Sequence, residues 1–131
     1  MYHLKCISSF IFAGLLIGLA QPVWSDEQSA ADLIVFTQES DEDCEEKGGK
    51  RIFINNRHQQ HIVDLHLDRY FANVRQGGRS MFALAPQASQ ALGCSKAFDS
   101  EQNWQLVNAR FINEEAAIQR YGEIIGLDKN N

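Results

Sequence analysis

His58, His61, Asp64, His66 and Asp68 lie close together in the chain and are its densest group of imidazoles and carboxylates. Such side chains can hold zinc or copper, or act as acid and base in a small hydrolase. If the segment from His61 is a regular strand, Asp64, His66 and Asp68 share one face, because strand side chains alternate. The spacing matches no zinc signature. H-E-x-x-H is absent, and His58-Gln59-Gln60-His61 reads as a turn. A hairpin tip followed by a solvated strand face is therefore the preferred reading. A metal site or hydrolase centre over His58–Asp68 is the alternative, and no cofactor is expected.

Cys44 and Cys94 carry the other reactive atoms of interest. Cys44 sits in Asp41-Glu42-Asp43-Cys44-Glu45-Glu46, where the acidic field disfavours a thiolate. A structural disulfide between Cys44 and Cys94 is expected instead. The acidic run does not form an EF-hand loop: counting from Asp41, the sixth and twelfth positions are Glu46 and Ile52 rather than glycine and glutamate. No G-x-S-x-G elbow, S-x-x-K pair or phosphate-binding glycine motif occurs. Tyr70, Phe71, Phe82, Trp104 and Phe111 read as core in preference to a ligand groove.

The pairing argument depends on the N-terminus. Lys5 precedes an uncharged run from Cys6 to Ala20, and Pro22 interrupts it. About 15 helical residues rise about 22 Å, less than a bilayer core of about 30 Å. Residues 1–25 therefore read as a cleaved signal peptide, cut after Ser25, with 26–131 as one exported domain. No stable membrane anchor is expected after cleavage. Cleavage removes Cys6, leaving an even pair. The formal charge of −5 becomes −6, since Lys5 is the one charged side chain removed. That balance disfavours nucleic acid as a partner.

Several elements must position these groups. Leu33–Thr37, Arg51–Ile54, His61–Leu67 continuing to Val74, Ser80–Ala85 and Trp104–Ile112 have strand patterning. Val63, Leu65 and Leu67 alternate with Asp64 and His66, giving one dry and one mostly wet face. Arg75-Gln76-Gly77-Gly78-Arg79 predicts the hairpin turn between two of these strands. Gln38–Lys50, Pro86–Gly93 and Asp99–Asn103 read as loops, the second with a possible helical turn. Asn113 caps a C-terminal helix that Gly126 ends.

The expected fold is mainly β: a small antiparallel β-sandwich or partly open barrel with one C-terminal α-helix and one disulfide. The expected function is a non-enzymatic binding or accessory domain that engages another envelope or secreted protein, as an inhibitor, immunity-type protein or assembly component. A bacterial periplasm is the preferred address. The first prediction is by mass: the exported protein has the mass of residues 26–131 and takes up no alkylating agent until it is reduced. A mass that includes residues 1–25, or two free thiols, contradicts it.

Overall fold

The computed structural model describes Gly18 and residues 28–128. The signal peptide expected at 1–25 and the chain end at 129–131 lie outside the described residues, Gly18 apart. A 3-10 turn at Ala30–Leu33, capped by Ser29, leads into β1 (Ile34–Glu39). There follow α1 (Glu42–Glu46), β2 (Arg51–Asn56), β3 (Ile62–Phe71), β4 (Val74–Arg75), β5 (Ser80–Leu84), β6 (Ser89–Cys94), β7 (Lys96–Ala97), β8 (Ser100–Ile112) and α2 (Glu114–Tyr121).

The strands form two antiparallel sheets that do not close into a barrel. One has the order β1-β2-β6, the other β4-β3-β8-β7, with β5 beside β4 on the same edge of β3. Only Ser95 separates β6 from β7, so one extended run passes from sheet to sheet. Ser95 N–H donates to the Lys50 carbonyl, and its own carbonyl accepts from Gln102 N–H. At this corner Gly93 sits at φ 156°, and a Cβ there would lie 2.8 Å from the Trp104 ring. Glycine is required because the indole occupies that space.

Between the sheets lies the main core. Ile54, Val63, Leu65, Leu67 and Leu84 are fully buried, with Phe36, Phe82, Trp104 and Leu106 packed around them. The apolar parity of β3 thus builds the core as the alternation requires. A second, smaller cluster lies on the outer face of the β3 sheet. There α2 lays Ala117 against Ala83, Ala85 and Ile124. Asn56, 1 % exposed, joins the two layers. Its amide donates to the carbonyls of His61, Leu84 and Ala85, and its oxygen accepts from His58 N–H.

Local expectations fail where tertiary pairing overrides weak signals. The 38–50 segment contains α1, because Asp41 accepts from Cys44 N–H as an N-cap and also takes the Arg51 guanidinium. Residues 89–94 form β6 despite their Ala and Gly content, since pairing with β2 supplies the ladder. Ser100–Asn103 belongs to β8, paired first with β7 and then with β3. The hairpin turn is Ala72-Asn73, both left-handed at φ 49° and 64°, and not Gly77-Gly78. Residues 76–79 instead bulge between β4 and β5, bringing Arg79 back over β3. Helix α2 ends at Gly122, φ 75°, four residues before Gly126, so that Ile125 can bridge to Leu84.

The predicted bond between Cys44 and Cys94 is present, with both residues buried. It closes a separation of 50 residues. Loop-closure entropy assigns it about 4 kcal/mol. Replacing both cysteines by alanine is expected to lower the urea-unfolding free energy by about that amount. A loss under about 1 kcal/mol would mean that the Asp41–Arg51 pair and the β2–β6 ladder hold the corner unaided.

Candidate functional site

The group at 58–68 divides into three environments. His58, 3 % exposed, lies between β2 and β3. Its Nε2 is 2.8 Å from the Ala30 carbonyl oxygen. A carbonyl can only accept, so Nε2 carries the proton and the ring anchors the N-terminal turn. Its ring and that of His61 pack against Phe111, with centroids 4.9 and 4.8 Å away. Open clefts of about 420 and 400 Å³ flank His61 and Phe111.

Asp64 points from β3 to the opposite face and lies beneath α2. It is 1 % exposed. Tyr121 Oη donates to it at 2.5 Å, Arg120 at 2.5 Å and Arg110 at 3.3 Å. His66 Nε2 is 3.3 Å from the same carboxylate but out of hydrogen-bond alignment. Burial pushes the Asp64 carboxyl up, yet the Tyr121 and Arg120 hydrogen bonds, the His66 charge and Arg110 together hold it below its ordinary value. Burial and the Asp64 carboxylate raise the Tyr121 phenol.

Asp68, 7 % exposed, stands further along the same face. Arg79 Nε reaches it at 2.9 Å and Arg75 Nε at 3.0 Å. Hydrogen bonds from Arg79 and Arg75 lower its carboxyl despite partial burial. The face expected to be wet therefore holds two buried carboxylates, each between two arginines. Sequence reasoning missed these partners because Arg110, Arg120 and Tyr121 are distant in the chain, and because Arg75 and Arg79 read only as hairpin-turn residues. Among the described residues, no group of three or more His, Cys, Asp or Glu side chains is placed to hold a metal ion. The structure pairs His58 with His61 and Asp64 with His66, and gives Asp68 wholly to arginine.

A further feature lies at the start of the 99–103 segment that reads as a loop. Phe98 and Asp99 form the two-residue turn between β7 and β8, at φ 49° and 63°. Phe98 is 92 % exposed. A cleft of about 310 Å³ beside it is lined by Glu46, Lys47, Ala97 and Asp99 as well. The one sequence signal was a lone phenylalanine in a polar stretch. Comparison with protein-family models, curated proteins and solved structures finds no match.

Removing the Asp64 carboxylate is expected to destabilise the fold. Asp64→Ala leaves the Tyr121 hydroxyl and two guanidiniums without their acceptor. Because both arginines can rehydrate, the expected loss is about 2–3 kcal/mol, nearer to lost charge-assisted hydrogen bonds than to a stranded buried charge. Urea unfolding measures it, and hydrogen exchange should rise first in α2. The pH dependence has a definite sign. Folded carboxyls held below their unfolded pKa contribute stability above the ordinary carboxylate range, and it is lost as pH falls through the folded values. Unfolding free energy should fall below about pH 4, and less steeply in Asp64→Asn/Asp68→Asn. Identical slopes in both proteins would contradict the assignment.

Proposed function

We propose that this chain is an exported binding or accessory domain that engages another protein in the envelope or outside the cell through the Phe98 turn. The observation that carries the reading is Phe98 itself: a bulky side chain held left-handed and 92 % exposed. The left-handed region costs a non-glycine residue about 1–2 kcal/mol. Turns of this kind favour Asn-Gly or Asp-Gly. The Phe98 side chain recovers little of that cost, because its ring lies in solvent. Strain retained at an exposed position is a hallmark of functional loops.

The base of the turn supports the same reading. The Cys44–Cys94 bond and the Ser95 hydrogen bonds to Lys50 and Gln102 hold the strands that carry it. Gly49 packs against Ser95 so closely that a Cβ would lie 2.6 Å from its Oγ. A turn whose base is held in place loses little backbone entropy on docking. Glu46, Lys47 and Asp99 supply a polar rim around it. An aromatic anchor inside a polar rim is the common anatomy of an interface hot spot.

Phe98→Asn separates the two roles. It should raise stability by up to about 1 kcal/mol, because asparagine suits the turn, and weaken partner binding by about a hundredfold. A photo-crosslinking phenylalanine analogue at position 98, in the exported protein, should give one discrete adduct. Excess wild-type protein should compete it away, and excess Phe98→Asn should not. The same analogue at exposed Val74 serves as control. Indistinguishable adduct patterns at 98 and 74 would sink the proposal.

A further inference from the structure

We infer that the outer face of the β3 sheet, beyond the edge of α2, binds a linear anionic glycan. The two aspartates on this face are four residues apart on β3, so their arginine pairs stand about 13 Å apart. Arg110 and Arg120 close one end through Asp64, and Arg75 and Arg79 the other through Asp68. Four guanidiniums meet two carboxylates, which leaves an excess of two positive charges on a chain whose formal charge is −5. Each arginine remains 39–55 % exposed. The buried aspartates thus fix the guanidiniums and leave part of each to the solvent. Pre-oriented guanidinium forks suit carboxylate and sulfate groups, because two N–H donors match two oxygens.

What lies between the clamps and beyond the Asp68 end selects the rest of the ligand. The β3–β8 register places Asn108 beside His66, Gln105 beside Asp68 and Asn103 beside Tyr70. The three amides are exposed and Tyr70 is half-buried. A row of amides offers donors and acceptors to hydroxyl groups, and a tyrosine offers a ring face with a polar tip. Helix α2 covers only the Asp64 end of this surface, and exposed Glu101 bounds the other. A row of amides that runs from between the cationic clamps past the Asp68 end fits a hydroxyl-rich polyanion better than a peptide, which needs pockets for its side chains.

The test uses the exported protein with sulfated heparin oligosaccharides and with carboxylated polygalacturonate oligomers, which distinguish the two sources of negative charge. Neutral dextran and inorganic polyphosphate are the comparisons, and isothermal calorimetry is the readout. Binding of at least one anionic glycan is expected, weakening as salt rises. Arg75→Gln/Arg79→Gln should weaken it about tenfold or more. If that variant does not fold, Arg75→Lys/Arg79→Lys keeps the charge, loses the fork, and should weaken binding in the same direction. Asn103→Ala/Gln105→Ala should weaken glycan binding with all charges intact. Failure of both anionic glycans to bind overturns the inference. So does polyphosphate binding equally well, or an unchanged affinity in the amide variant.

Discussion

The Asp64 carboxylate is buried where water cannot solvate it, and so it must collect donors from three elements. Arg110 comes from β8, and Arg120 and Tyr121 from α2. A buried charge left alone would cost far more than the apolar contacts of a short helix return. The carboxylate therefore sets where α2 can dock, and the small alanine-rich cluster beneath the helix fills in around that position. Docking α2 over one end of the sheet in turn leaves the Asp68 end uncovered, where Arg75 and Arg79 complete the second clamp.

A different constraint governs the corner where the two sheets meet. The β6–β7 run must turn from one sheet to the other within a single residue, Ser95. The disulfide, Gly93 against Trp104 and the hydrogen bond from Ser95 to Lys50 hold that corner. Asp41 contributes twice, as the cap of α1 and as the acceptor of Arg51, whose hydrogen bond holds its carboxyl below the ordinary value. So firm a base allows the adjoining turn to keep Phe98 in an unfavourable backbone conformation. The Phe98 turn and the arginine-lined face are separate surfaces.

Some features were legible because they rest on local rules. The alternation of Val63, Leu65 and Leu67 marked the core face of β3, and Asn113 marked the start of α2. Cys44 and Cys94 form the expected bridge. The hairpin turn was misread because Gly77-Gly78 is the stronger local signal. Cross-strand pairing of Tyr70 with Arg75 and Phe71 with Val74 prevailed, and the glycines went to a bulge. Residues 89–94 have no strand preference of their own, so β6 became visible only once β2 was beside it.

The sequence by itself determined the mainly β character, the dry face of β3, the capped helix and the disulfide. Each follows from the period, cap or count of residues near one another in the chain. Tertiary structure alone decided the fate of the polar face. The donors that bury Asp64 lie 46, 56 and 57 residues further along the chain. No period or motif links residues so far apart. Only the β3–β8 register and the docking of α2 bring them to one carboxylate, and the bulge between β4 and β5 brings Arg79 to the other, turning a face expected to be wet into two arginine clamps.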